Sequence, residues 1–156
     1  MRDDRRVLVV GASGIVGRAA FEHFATSGWD AYGVSRRAPD LSVGTHVPLD
    51  LLDEKACSAR LRKLPRISHV VFAALQEKPG LLGGWFDPDQ MEINRRMLEN
   101  LLAGVEAQGG LEHVSLLQGT KAYGAHVGRM RVPGRERETR HDLSLIHISE
   151  PTRLRS

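Results

Sequence analysis

Three glycines, each separated from the next by two residues, follow an apolar run near the amino terminus and form the segment GASGIVG at 11–17. In such a segment the first glycine permits a tight turn, the second lets the backbone approach a ligand closely, and the third lets a following helix pack against a sheet. The start of that helix presents unpaired N–H groups to an anion. We therefore predict a turn that cradles a diphosphate, against the alternative of a glycine-rich turn without a ligand. The predicted contacts are Gly11, Ser13, Gly14, Ile15 and Gly17.

The second predicted strand is followed by Arg36 and Arg37 after its last residue, Ser35. In dinucleotide-binding folds, residues at this place distinguish NAD from NADP. A carboxylate there holds the free ribose hydroxyls of NAD, whereas a guanidinium binds the 2′-phosphate of NADP through two hydrogen bonds. All three residues are predicted cofactor contacts, and Arg36 is the strongest candidate. We therefore predict NADP(H) as the cofactor and keep NAD(H) as the alternative. If no cofactor binds, the arginines are two solvated surface residues.

Asp50 and Leu51 follow the third predicted strand. An acidic side chain there accepts a hydrogen bond from the amine of adenine, so both residues are predicted cofactor contacts. The alternative role for Asp50 is that of N-cap of the next helix, for which Asp53 is also suitable. Ala73 and Ala74, at the end of the fourth predicted strand, are also predicted cofactor contacts.

Apolar runs alternate with segments of helical periodicity from residue 6 to residue 117. Strands are predicted at 6–11, 30–35, 46–49, 68–74 and 113–117, and helices at 14–27, 53–64 and 88–107. Strands and helices that alternate at this length form a parallel sheet with right-handed crossovers. We therefore predict an α/β, Rossmann-type parallel sheet with strand order 3-2-1-4-5 and helices on both faces, cut short before its last strands.

Asn94 shares a face of the third predicted helix with apolar residues. These are Met91, Leu98, Leu101 and Val105. A polar side chain in an apolar stripe needs a hydrogen-bond partner. Two roles for Asn94 are equally favoured. Its side chain bonds to backbone near an active site, or it simply ties the helix to a loop.

Four segments together, GASGIVG, SRR, DLLD and VFAAL, resemble the extended short-chain dehydrogenase/reductases. The segments 91–102 (MEINRRMLENLL) and 115–124 (SLLQGTKAYG) resemble more specifically the progesterone 5β-reductase/iridoid synthase-like group, an atypical branch with bacterial members of the NAD-dependent epimerase/dehydratase type. The resemblance covers residues 6–142. It implies an NADPH-dependent oxidoreductase that reduces the carbon–carbon double bond of an enone, so the expected partner is a small carbonyl or enone substrate.

In that group the catalytic pair is a lysine in a GTK motif and a tyrosine further along the chain. Lys121 matches the lysine, so the resemblance implies that Lys121 is catalytic and also contacts the cofactor. Its ammonium would lower the pKa of the tyrosine, whose hydroxyl stabilises the oxyanion formed when hydride reaches the β-carbon. Tyr123 matches a noncatalytic position. An ordinary surface lysine is the alternative for Lys121.

The last fourteen residues have a different character from the rest of the chain. Residues 143–153 read LSLIHISEPTR, which matches one translated frame of a common transposase-type sequencing adapter over eleven codons. We therefore predict a dinucleotide-binding domain at 1–142 and a non-native, disordered tail at 143–156, with a natural short strand as the alternative. The catalytic tyrosine would then lie beyond Asp142, and we expect the chain without it to be inactive.

The composition excludes several other classes of protein. The net charge is +3, without the clustered basic face typical of nucleic-acid binders. The single cysteine, Cys57, excludes an internal disulfide and a cysteine zinc site and is expected to be buried and inert, and the histidines lack metal-ligand spacing. No apolar run has the length of a membrane span or the form of a signal peptide. We predict a cytoplasmic protein with neither a metal nor a nucleic-acid partner, and a homodimer at full length.

The same residues are compatible with two other functions. A nucleotide-sugar epimerase or dehydratase shares the glycine segment and the asparagine-bearing helix, but it requires a Y-x-x-x-K segment, which these 156 residues lack. A non-catalytic NADP-sensing protein would keep the glycines and Arg36 without a catalytic pair. The position of Lys121 in a GTK motif argues against this last function.

Overall fold

Strands form where apolar residues run without interruption, and helices form between them. In the computed structural model, which describes residues 5–77, 88–119, 129 and 131–135, strands and helices alternate along the chain. The elements are β1 (Arg6–Val10), α1 (Ile15–Thr26), β2 (Asp30–Ser35), β3 (Thr45–Pro48), α2 (Glu54–Leu61), β4 (His69–Phe72), α3 (Pro88–Glu106) and β5 (His113–Leu116).

The five strands pair in parallel in the order β3-β2-β1-β4-β5, which confirms the predicted sheet. The register places Leu8 of β1 between Tyr32 of β2 and Val70 of β4. Val7 to Val10 are completely buried, as expected for a central strand that is covered on both faces. The chain winds from β1 toward β2 on one side and later reaches β4 on the other, so β1 lies where the direction of winding reverses.

Helix α1 packs on one face of this sheet and ends at Thr26, one residue before the predicted end. A buried cluster on that face consists of Val7, Val9, Ala12, Phe21 and Ala31. Gly28 has φ +82°, the left-handed conformation in which glycine ends helices. The amide of Trp29 then donates to the carbonyl of Phe24 at 3.2 Å, which closes the last turn.

Helix α2 is shorter than predicted, because it ends at Leu61 rather than at Leu64. The side-chain amide of Gln108, more than forty residues further along the chain, donates to the carbonyls of Leu61 at 2.5 Å and Leu64 at 3.1 Å. These carbonyls are therefore satisfied without another helical turn. Strand β3 begins one residue earlier than predicted, and β4 is limited to four residues.

By their contacts the residues form two compact units. The first comprises Met1–Leu75 and Arg96–Leu117 and contains the sheet, α1, α2 and the later part of α3. The second comprises Gln76–Arg95 and Gln118–Ser156 and contains the beginning of α3. Within the described ranges, no helix combines the length and apolar character that a bilayer crossing requires. No group of metal-ligating side chains is found there either.

Candidate dinucleotide-binding site

Gly11 brings the end of β1 against the loop that follows β4. Its backbone has φ +85°, and a side-chain carbon built on it would lie 2.8 Å from the amide nitrogen of Ala74 and 2.9 Å from the carbonyl carbon of Ala73. Glycine is the residue that meets both constraints. The predicted contacts Gly11, Ala73 and Ala74 therefore lie together where the strands end. In open α/β sheets this is the crevice that binds ligands.

The turn between β1 and α1 leaves several backbone amides unpaired. Gly14 is the N-cap of α1 and has no side chain to cap the helix, and its own N–H donates to the carbonyl of Gly11 at 2.9 Å. The amides of Ser13, Ile15 and Val16 have no hydrogen-bond partner among the described residues. Such amides at the start of a helix are donors for an anion.

Gly17 lets the first helical turn of α1 pack against the backbone of Gly11. A side-chain carbon at Gly17 would collide with the carbonyl oxygen of Gly11, so this contact requires glycine, as predicted. Ile15, in contrast, is 93% exposed, and its side chain leaves the helix start open to solvent. The five predicted residues of the glycine segment thus form one continuous turn with open backbone donors.

A hollow of about 360 Å³ lies beside this turn. It is lined by Ser13, Gly14, Ile15, Arg18, Ala19 and Glu22. Nη2 of Arg18 donates to the carbonyl oxygen of Asp40 at 3.1 Å, which ties α1 to the loop between β2 and β3. Arg18 was not among the predicted residues. The available signal was its spacing of four residues from Gly14, because such residues share a helix face.

At the end of β2 the two predicted arginines are exposed, whereas Ser35 is buried. Neither Arg36 nor Arg37 has an ion-pair partner in the described part of the chain. The hydroxyl of Ser35 donates to the carbonyl of Arg37 at 2.6 Å, and Nε2 of His46 lies 3.1 Å from the same oxygen. Ser35 therefore supports the backbone that carries the arginines, while its direct contact with a cofactor stays a prediction.

Asp53, and not Asp50, is the N-cap of α2, because its carboxylate accepts from the amide of Ala56 at 2.8 Å. Asp50 is exposed and uses Oδ1 to accept from the amide of Leu52 at 3.0 Å. The structure gives the amide of Leu51 no partner within the described residues. This turn therefore offers an acceptor and a donor next to each other, which is the pair that the 6-amino group and N1 of adenine require.

Two side chains fix the carbonyl of Leu51. Nδ2 of Asn100 donates to it at 2.8 Å, and Sγ of Cys57 lies 3.7 Å from it. Burial raises the pKa of the Cys57 thiol to about 11, and the carboxylates of Asp53 and Asp50 contribute to this rise. The thiol is therefore protonated at neutral pH and acts as a structural group, not as a nucleophile.

Asn94, in the second unit, ties α3 to Gln76. Its side-chain oxygen accepts from the amide of Gln76, and its Nδ2 donates to the carbonyls of Gln76 and Gln90, each at 2.8 Å. Asn94 is only 7% exposed, so these bonds satisfy a buried amide. Both roles considered for Asn94 involve a bond to loop backbone of this kind, so the choice between them stays a prediction.

The predicted catalytic residue Lys121 lies outside the described residues. The same is true of Tyr123 and of the predicted tail at 143–156. The roles assigned to these positions from the sequence therefore stay predictions. The site described above consists of residues of the first unit, apart from Asn94 and its partners.

Comparison with known proteins identifies a family and a set of relatives. The model of the NAD dependent epimerase/dehydratase family matches residues 7–146. The (S)-8-oxocitronellyl enol synthase of Nepeta cataria is 30% identical over an alignment of 126 residues that covers 74% of this chain and 31% of the relative. The corresponding enzyme of Nepeta racemosa matches equally well. The chain thus spans 31% of the length of these curated relatives.

Solved structures with low sequence identity share the fold. The Bordetella bronchiseptica enzyme WbmG, in complex with NAD and UDP, has a TM-score of 0.69 at 18% identity and covers 94% of this chain and 47% of its own. A short-chain dehydrogenase/reductase superfamily protein of Agrobacterium tumefaciens with bound NAD has a TM-score of 0.55 at 22% identity and covers 76% and 34%. These likenesses confirm the Rossmann-type architecture.

Proposed function

Because the chain belongs to the NAD dependent epimerase/dehydratase family, we propose that its glycine turn binds the diphosphate of an adenine dinucleotide and that the protein prefers NADP(H) to NAD(H). One observation carries this proposal. Two exposed guanidinium groups, on Arg36 and Arg37, extend from the end of β2 and have no ion pair in the described residues. No carboxylate occupies the end of this strand, so nothing there would repel a 2′-phosphate.

The described residues fit the diphosphate and the adenine end of the dinucleotide. The unpaired amides of Ser13, Ile15 and Val16 suit the diphosphate, and Gly11 and Gly17 are positions at which a side chain would fill the cradle. The exposed carboxylate of Asp50 and the free amide of Leu51 suit the edge of adenine. These donors and acceptors follow β1, β2 and β3, which are neighbours in the sheet.

We further propose that the reaction is the reduction of an enone carbon–carbon double bond. When bound, NADPH supplies a hydride to the β-carbon of such a substrate. A relative at 30% identity is named an enol synthase. Hydride addition to an enone at that carbon gives an enolate, which becomes an enol when its oxygen takes a proton from an acid or from water. Lys121 is then the residue of this chain that holds a positive charge near the oxyanion, as the resemblance implies.

The cofactor preference is tested by titrating the 156-residue chain with NADPH and with NADH. We expect tighter binding of NADPH, and we expect Arg36→Asp to weaken NADPH binding by about a hundredfold while NADH binding changes little, because repulsion replaces a charge-assisted contact. Lys63→Asp, the same charge change in an exposed residue after α2, is the control and should leave both affinities unchanged. Equal affinities for the two cofactors in the parent chain would refute the preference.

An epimerase or dehydratase acting on a nucleotide sugar is the second candidate, and the description of the matched family favours it equally. The two functions differ in the second substrate. Because the 156-residue chain is expected to be inactive, binding separates them. Saturable binding of an enone such as 2-cyclohexenone in the presence of NADPH supports the reductase, whereas saturable binding of a UDP-hexose, without binding of the enone, supports the epimerase.

A further inference from the structure

The segment 36–44 connects β2 to β3 and carries both exposed arginines. We call it the arginine loop. A loop that holds a phosphate through guanidinium groups binds it more tightly when its backbone is already fixed, because each mobile residue must otherwise be ordered on binding. The structure fastens the arginine loop at three points, all of them within the first unit.

The first point is a pair of side chains at the start of the loop. The buried hydroxyl of Ser35 donates to the carbonyl of Arg37 at 2.6 Å. Nε2 of His46, on β3, lies 3.1 Å from that hydroxyl oxygen and 3.2 Å from the carbonyl oxygen of Ser35. A carbonyl oxygen can only accept, so Nε2 of His46 must carry a proton. One arrangement of hydrogens therefore satisfies the whole group, with His46 donating to Ser35 and Ser35 donating to Arg37.

The second and third points fix the middle and the end of the loop. Arg18 of α1 donates to the carbonyl of Asp40 at 3.1 Å. Gly44 has φ +71°, and a side-chain carbon there would lie 2.6 Å from the ring of Phe21, so the loop packs directly on that buried ring. Both ends and the middle of the loop are thus attached to the core, and the two arginine side chains point away from it into solvent.

We propose that His46 is a positioning residue for cofactor selectivity. It acts through Ser35 to hold the backbone of Arg36 and Arg37 in the conformation that grips a 2′-phosphate. This inference rests on the proposed preference for NADP(H). It goes beyond that preference, because it assigns part of the selectivity to a histidine on β3 that lies eleven residues from Ser35 in the sequence.

The experiment uses two fragments of the cofactor as probes, adenosine 2′,5′-bisphosphate and 5′-AMP, titrated calorimetrically into the 156-residue chain. His46→Phe keeps a ring of similar size but removes the donor. We expect it to weaken binding of adenosine 2′,5′-bisphosphate about tenfold and to leave binding of 5′-AMP unchanged, because the latter has no 2′-phosphate. His46→Gln, whose amide can replace Nε2 as a donor, should restore most of the affinity.

Ser35→Ala should reproduce the loss, and the double variant with His46→Phe should lose no more than either single variant, because both act on the same backbone. His69→Phe is the matched control. His69 is also half-buried on a strand and also lies within hydrogen-bond distance of a serine, with Nδ1 2.9 Å from Oγ of Ser68, but at the opposite end of the strands. It should leave the ratio of the two affinities unchanged.

The outcomes separate this inference from the proposal it rests on. If the parent chain binds both probes equally and Arg36→Asp has no effect, the preference for NADP(H) fails. If Arg36→Asp removes the selectivity but His46→Phe and Ser35→Ala do not, His46 has no positioning role and only this inference fails. Equal weakening of both probes by His46→Phe, or failure of His46→Gln to restore affinity, would also overturn it. Should His46→Phe not fold, His46→Leu, which also removes the donor, takes its place in both titrations.

Discussion

At the amino edge of the sheet, where the strands begin, several polar side chains bond to the backbone or to one another, whereas the turns at the carboxyl edge, where the strands end, leave backbone amides open. Ser68 is the clearest case at the amino edge. Its hydroxyl donates to the carbonyl of Arg6 at 2.9 Å and accepts from the amide of Arg6 at 3.1 Å. At the carboxyl edge, the amides of Ile15, Val16 and Leu51 have no such partners in the described chain.

Other groups of the amino edge follow the same rule. Asp30 accepts hydrogen bonds from Arg6 at 3.3 Å and from the hydroxyl of Tyr32 at 3.1 Å. Burial raises the pKa of the Tyr32 phenol, and the neighbouring carboxylate of Asp30 raises it further. The rings of Trp29 and His69 meet edge to face with their centres 4.9 Å apart. These side chains of the amino edge are therefore paired with their neighbours.

The difference between the edges indicates which one binds a ligand. An unpaired polar group is tolerated where water or a ligand can reach it, and burying it without a partner costs free energy. In the described chain, open amides lie in the glycine turn after β1 and in the adenine-facing turn after β3, and exposed guanidinium groups lie in the arginine loop after β2. We therefore expect substitutions at the carboxyl edge to change binding, and substitutions at the amino edge to change stability alone.

The largest effect is expected at Gly17. Gly17→Ala places a carbon against the carbonyl of Gly11, so it should cost about 3 kcal/mol of folding free energy and abolish detectable NADPH binding, because the helix start must move. Chemical denaturation and calorimetric titration measure the two effects. Thr26→Ala, at the exposed far end of the same helix, is the control and should leave NADPH binding unchanged. Normal NADPH binding by Gly17→Ala would contradict the role assigned to this turn.

Ser68→Ala probes the amino edge. It removes the side-chain partner of the amide and carbonyl of Arg6, at a position where Ser68 is only 7% exposed. We expect a loss of about 2 kcal/mol in folding free energy. NADPH affinity, measured well below the melting temperature, should be unchanged. Ser58→Ala in α2 should alter neither quantity by more than about 0.5 kcal/mol. A specific loss of NADPH affinity in Ser68→Ala would break the division between the two edges.

The smallest effect is expected at Asp50, and it should be a change of specificity. Asp50→Asn replaces an acceptor for the 6-amino group of adenine by a donor, so 5′-AMP should bind about tenfold more weakly, or about 1.4 kcal/mol. Because the new amide can donate to the 6-oxo group of hypoxanthine, 5′-IMP should bind more tightly than before. Asp53→Asn keeps the N-cap and should change neither affinity. The adenine assignment fails if Asp50→Asn also leaves both affinities unchanged.

Much of the fold could be predicted because its signals are local. The apolar run of β1 and the alternation of strands and helices gave the order of the sheet, and β2 was predicted at its observed limits. Gly28 marked the end of α1 for the same reason, since a positive φ is a property of one residue. The end of α2 was predicted three residues too late, because the group that satisfies its carbonyls, Gln108, belongs to a distant part of the chain.

The candidate site divides in the same way. By itself the sequence determined the glycine turn, the arginines at the end of β2 and the acidic residue after β3, because each follows from residue type and from its place beside a strand. Only the tertiary structure decided that Ser35 supports the loop together with His46, that Arg18 reaches Asp40, and that Asn100 fixes Leu51 from 49 residues away. Those bonds exist only once the parallel register has brought the strands together, and no local pattern records that register.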